Sequence, residues 1–194
     1  LVPLSALGYA KTLDIASLDK DPSEIGFGGS RNYTIRYNFD GLLTAGQMKE
    51  SDRCSNYVQF YRSGIVEAVS VDLLKPGRDG SKVISPHFED EILDGLERLR
   101  KAQKKIGVEM PVLLMLSLTD VDGYRMGMPF DPFDRWLDHQ PNERKELAVP
   151  EVLTETYEDD LAMIMRPAFD AIWMACDYPG SINYGDKGNR RPRQ

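Results

Sequence analysis

Two cysteines and two histidines are all that this 194-residue chain offers to thiol or imidazole chemistry. Cys54 and Cys176 lie far apart, and so few thiols fit a reducing compartment in which buried cysteines stay free. Arg53 beside Cys54 would favour a thiolate, but no partner arrangement accompanies it. His87 and His139 belong to no ligand-spaced motif such as H-E-x-x-H, so structural roles are expected for both. No apolar run approaches the roughly 20 residues that span a bilayer, and the start lacks the basic-then-apolar pattern of a leader. Together these absences predict a cytoplasmic protein without a membrane segment. The glycine-rich stretch IGFGGS at 25–30 has no strand before it and no helix after it, so it reads as a loop and not as a phosphate cradle. Ser117 lies in an apolar strand pattern and not in a G-x-S-x-G elbow, which removes it as a nucleophile.

What is present suits one globular core. The last eight residues, KGNRRPRQ, carry four positive charges and no acid, so the formal charge of −7 becomes −11 without them. An acidic body of that kind repels phosphate backbones and anionic membranes. The expected organisation is a single α+β domain over 1–186 and a basic, mobile tail over 187–194. The chain begins at Leu1 without an initiator methionine, and the reading is of a domain cut from something longer.

The patterns predict an antiparallel-rich sheet. Leu1 to Leu4 reads as a first strand with Pro3 at an edge, and Arg31 to Phe39 as a second. Asp40-Gly41 turns the chain into Leu42–Ala45. The central feature is Asn56 to Val71, two β-rich runs around Ser63-Gly64, a dipeptide suited to a two-residue hairpin. Counting outward pairs Tyr61 with Val66, Phe60 with Glu67 and Val58 with Val69. That register places Arg62 and Glu67 on the covered face and predicts an ion pair between them. A long amphipathic helix follows, capped by Ser85 and carrying Phe88, Ile92, Leu96, Leu99 and Ile106 on one face. Acids crowd its first turns and bases its last, in the order the helix dipole favours. Pro111 leads into VLLMLSL, a strand expected to be buried on both faces. Asp122-Gly123 signals a hairpin that returns over Tyr124–Met128, and a short helix is expected around Phe133–Asp138. The final helical region runs from about Glu158 to Cys176, with Pro167 kinking it or starting a second helix. Its face of Leu161, Ile164, Met165, Ala168, Ile172 and Cys176 should pack inward. Trp173, one residue off that face, should be partly buried and border a binding surface.

Chemistry, if any, would come from carboxylates. Asp120 and Asp122 end the apolar strand, Asp40 sits at a turn and Glu67 on the hairpin. Converging in one pocket, they would hold a divalent ion for phosphodiester hydrolysis. Turn chemistry also explains Asp40-Gly41 and Asp122-Gly123, and Arg62 explains Glu67. No cofactor is predicted.

Several segments, in order along nearly the whole chain, point further. They are LVPLSA at the start, RYNFDGLLT at 36–44, YVQFYRSGIVEAV at 57–69, PVLLMLSLTDVDGYRM at 111–126 and RPAFDAIWMACDYPGS at 166–181. This set resembles the C-terminal region of bacterial proteins that carry an N-terminal Schlafen-type AlbA-like DNA-binding domain, often described as ATP-binding proteins or transcriptional regulators. The family's hairpin turn tends to read Asn-Gly where this chain has Ser63-Gly64. The resemblance implies that DNA and nucleotide binding belong to the N-terminal domain, and it carries over no catalytic residue. The expectation is a non-catalytic sensing or interaction module that works with that domain, and with a protein partner or a second copy, without contacting DNA itself. Arg62, Glu67 and Trp173 are its candidate interaction residues. The alternatives are a metal-dependent hydrolase or nuclease using Asp40, Glu67, Asp120 and Asp122, and a dimerisation domain.

Overall fold

The structure, a computed structural model, describes residues 1–7, 13–19, 24–28, 33–47, 54–74, 76–77, 79–127, 139–185 and 188–191. It is α+β with mostly antiparallel sheet. The chain divides into two compact units. The first holds Leu1–Leu73, Glu91–Leu114 and Leu153–Asp159, and the second Leu74–Asp90, Met115–Val152 and Asp160–Gln194.

In the first unit β2 (Tyr33–Tyr37), β3 (Gly41–Gln47), β4 (Cys54–Tyr61) and β5 (Val66–Ser70) form a four-stranded antiparallel meander. The β2–β3 turn is built by Asn38, whose Oδ1 accepts the backbone N–H groups of Asp40 at 3.1 Å and Gly41 at 2.8 Å. Gly41 is required there. Its φ is 152°, and a Cβ would stand 2.1 Å from the Phe60 carbonyl oxygen. Strand β1 (Val2–Pro3) pairs with β7 (Val112–Leu114), and β11 (Val152–Thr154) completes a three-stranded sheet in which Pro3 sits on the edge strand, as a residue without an N–H should.

The β4–β5 connection differs from the expected two-residue hairpin. Gly64 N–H bonds the Tyr61 carbonyl at 2.9 Å, Tyr61 N–H bonds the Ile65 carbonyl at 2.9 Å, and Gly64 has φ 85°. This is a three-residue loop, a tight turn followed by a left-handed glycine. Phe60 therefore faces Val66, and Gln59 faces Glu67. The register is one residue away from the sequence-based count, and each β5 side chain changes face. Val66 goes inward with Val58, Phe60 and Leu42, while Glu67 goes outward.

Helix α1 (Phe88–Lys105) forms as its periodicity predicts. Ile92, Leu99 and Ala102 are buried, and Gln103 Nε2 donates to the Gly64 carbonyl at 2.8 Å, tying the helix to the hairpin turn. Phe27 of the glycine-rich loop packs where Gly95 has no side chain, since a Cβ there would meet its ring at 2.2 Å. The loop thus packs as structure, as expected.

The run VLLMLSL is not one doubly buried strand. It breaks at Met115 into β7, with Leu113 half-buried between two buried residues, and β8 (Ser117–Thr119), with Leu118 buried between exposed Ser117 and Thr119. In the second unit β8 pairs with β10 (Glu146–Ala148), while β9 (Arg125–Met126) pairs in parallel with β6 (Val83–Ile84). Asp122-Gly123 is a turn, but the chain does not return as a hairpin. The helix expected at Phe133–Asp138 lies outside the described residues.

Helix α2 (Leu161–Ala175) is one helix running through Pro167, capped by Asp160, whose side chain accepts from the N–H groups of Ala162 and Met163. Pro167 lies on the exposed side of the helix. Phe88 meets Phe169 edge to face, with centroids 5.9 Å apart, in the core of this unit.

A connection in the first unit yields a pH test. The Asp159 carboxylate accepts from the Thr156 hydroxyl at 2.7 Å, the Thr156 N–H at 3.1 Å, the Glu155 N–H at 2.8 Å and the Thr154 hydroxyl at 3.1 Å. These bonds, led by the Thr156 hydroxyl, lower its pKa from 3.8 to about 2. A depressed carboxylate stabilises the fold above its unfolded pKa and loses that contribution as pH falls through the folded one. Urea midpoints measured between pH 5 and pH 2 should fall more steeply for the native chain than for Asp159→Asn. Parallel curves would refute the assignment.

Candidate functional site

Asp40 and Glu67 belong to the first unit, Asp120 and Asp122 to the second. Asp120 is exposed at φ 56° and lies 3.5 Å from Lys145 Nζ, while Asp122 lies 3.6 Å from Lys82 Nζ. Asp40 stands exposed in the turn that Asn38 builds. Among the described residues, no group of three or more His, Cys, Asp or Glu side chains is arranged to hold a metal ion. The residues named for a divalent ion do not fit one as a set.

The predicted Arg62–Glu67 ion pair is not formed. The one-residue shift sends Glu67 to the outer face of the sheet, and the Arg62 guanidinium lies over the Phe39 ring instead, 5.8 Å from its centroid. Glu67 is bracketed by two tyrosines of β4. Tyr57 Oη–H donates to Oε1 at 3.2 Å and Tyr61 Oη–H to Oε2 at 3.1 Å. Burial and the neighbouring Glu67 charge raise the pKa of both phenols, so both remain protonated donors at neutral pH. Between them Gln59 is buried, its Oε1 accepting from Asn38 Nδ2 at 2.7 Å. The outer face therefore presents a pre-ordered Tyr–Glu–Tyr row, with Leu43 and Val69 half-exposed on the flanking strands.

Trp173 is fully buried, at 0% exposure, and not part-exposed. The apolar stripe of α2 is wider than expected. Met165, Phe169 and Trp173 form a second buried row beside Ala168 and Ile172, and i, i+4 spacing from Phe169 was the signal that would have revealed it.

Trp173 Nε1–H donates at 2.8 Å to Glu89 Oε1, a carboxylate in the first turn of α1 that is itself 0% exposed. The same Oε1 accepts from the Ser181 hydroxyl at 2.5 Å, and Oε2 accepts from Arg190 at 2.7 Å. Arg190 also reaches Asp90 at 2.6 Å and lies over the Tyr184 ring, 5.5 Å from its centroid. Tyr184 and Arg190 are joined by a β-bridge closing a small hairpin. At this position the expected mobile tail is instead held down. Lys187 and 192–194 lie outside the described residues.

No family model matches the chain, and neither a curated protein nor a solved structure does.

His87 lies 3.6 Å from the Asp90 carboxylate, and His139 stacks on Tyr178 with centroids 3.8 Å apart. Cys176 is buried, and burial pushes its thiol up, away from the reactive thiolate. Cys54 is exposed at the start of β4, and its neighbour Arg53 lies outside the described residues. A cleft of about 130 Å³ lined by Leu13, Ser63, Val108 and Glu109 among others is well below the roughly 300 Å³ at which small-molecule sites begin. Among the described residues no helix is long and apolar enough to cross a membrane.

Proposed function

We propose that the chain is a non-catalytic interaction module of a bacterial regulator, which receives a protein partner on the outer face of its four-stranded sheet. In the longer protein that the resemblance implies, it would serve an N-terminal nucleic-acid-binding domain. The observation that carries this reading is the Tyr57–Glu67–Tyr61 row. Tyrosine offers large contact area with few rotors to immobilise, which suits interfaces. The carboxylate between the rings is exposed and is hydrogen-bonded by two neutral phenols, so it would receive a lysine or arginine of the partner. Among the described residues Asp120 and Asp122 each lie beside a lysine and Glu67 holds two tyrosine hydroxyls, which favours the interaction reading over the hydrolase.

One titration with two probes tests the proposal. A lysine decapeptide should perturb NMR signals of Tyr57, Tyr61 and Glu67, and Glu67→Gln should abolish the effect. A 20-base-pair DNA duplex should leave them unchanged at about 0.15 M salt. Arg190 is already engaged by two carboxylates, so at most three tail cations are left for phosphates. Residual DNA binding should therefore show a salt slope no steeper than about −2.7 and vanish when Lys187, Arg191 and Arg193 are replaced by glutamine. Sub-micromolar, tail-independent duplex binding would make the body a reader of DNA. A decapeptide that leaves the tyrosines undisturbed would remove the partner surface.

A further inference from the structure

The second unit contains a built site for a guanidinium, and we infer that it is an arginine-binding socket now filled by the chain's own Arg190. This inference is independent of the sheet face proposed above.

Four features make the socket selective. Glu89 is wholly buried, so its carboxylate has exchanged water for Trp173 Nε1–H, Ser181 Oγ–H and one cation. A buried carboxylate retains its charge only with such compensation. The two terminal nitrogens of Arg190 go to two different carboxylates, one to Glu89 at 2.7 Å and the other to Asp90 at 2.6 Å. Only a forked, planar donor spans that pair, whereas a lysine ammonium is a single point charge. The Tyr184 ring supplies an aromatic face, and its hydroxyl, anchored on the Ala162 carbonyl at 2.6 Å, lies 3.4 Å from the same nitrogen. Burial works against the charge of Arg190, but bonds to Asp90 and Glu89 outweigh it and hold the guanidinium's pKa above its ordinary value.

The occupant is joined to Tyr184 by a β-bridge, with backbone bonds from Gly185 to Asn189 and from Arg191 to Asn183. Trp173 and Ser181 contact Glu89 independently of Arg190, so these two hydrogen bonds to the carboxylate do not depend on the guanidinium. An arginine presented by another chain meets the same two carboxylates and the same ring. The ligand class is thus an arginine-bearing peptide, and Arg190 is its intramolecular competitor.

Chemical rescue tests this. In Arg190→Ala the vacated socket should take N-acetyl-arginine amide, giving a saturable rise in Tm of a few degrees. The indole N–H resonance of Trp173 should return towards its native position. N-acetyl-lysine amide at equal ionic strength should do neither, and Glu89→Gln in the same background should abolish the arginine effect. A rise that is unsaturable, equal for both probes, or unchanged by Glu89→Gln would overturn the inference. Should Arg190→Ala fail to fold, Arg190→Lys keeps a cation that cannot span both carboxylates. The arginine probe should then shift the Trp173 resonance and the lysine probe should not. Equal or absent shifts there would equally overturn it.

Discussion

Replacing Glu89 with alanine is expected to destabilise the second unit by about 3–5 kcal/mol, the range seen when one partner of a buried ion pair is removed. The substitution leaves the Arg190 guanidinium without its buried acceptor and strips Trp173 Nε1 and the Ser181 hydroxyl of theirs. Whole-domain stabilities are only about 5–15 kcal/mol, so the loss is a large fraction of the total. Urea titration followed by Trp173 fluorescence reads the change, with Trp136 replaced by phenylalanine so that one indole reports. A midpoint shift equivalent to less than about 1 kcal/mol would mean that water reaches Glu89 and that the cluster behaves as a surface pair. Burial pushes the Tyr184 phenol up to about 12, so this group stays protonated at ordinary pH and adds no titration to the comparison.

This cluster was almost illegible in the sequence. Glu89 sits among four early-turn acids, Glu89, Asp90, Glu91 and Asp94, and dipole complementarity accounts for them all equally well. Nothing local separates the one that turns inward, because burial of a carboxylate is decided by what meets it from elsewhere. Here the donors arrive from positions 173, 181 and 190. Arg190, read from composition alone, is indistinguishable from the other bases in KGNRRPRQ. Helix existence, in contrast, was well encoded. The 3.6-residue spacing of Phe88, Ile92 and Leu99 and the Ser85-Pro86 start place α1 within the error of any boundary, because both signals depend only on the helix itself. The apolar run 112–118 failed for a third reason. Continuous hydrophobicity does not reveal where a strand ends, and its two halves serve different sheets.

The hairpin shows how a single torsion separates a right topology from a wrong surface, and a pair of substitutions decides between the two registers. With a two-residue turn, Glu67 shares the covered face with Phe60; with the three-residue turn, Val66 does. Gly64 settles it physically, because φ 85° places it as the left-handed residue closing a tight turn, and a Cβ there would stand 2.8 Å from both Leu13 and Val108. Val66 is 2% exposed, so Val66→Asp should bury an unpaired carboxylate and lower stability by roughly 3–5 kcal/mol, or force the group to stay protonated well above its usual pKa. Glu67→Ala removes two exposed hydrogen bonds from tyrosine hydroxyls and should cost less than about 1 kcal/mol. Its main consequence should be functional: without their shared acceptor, Tyr57 and Tyr61 lose the orientation that orders the outer face. Paired urea melts of the two variants give the ordering directly. A large loss for Glu67→Ala with a small one for Val66→Asp would restore the two-residue register, return Glu67 to the core beside Arg62, and dismantle the tyrosine row on which the proposed partner surface rests.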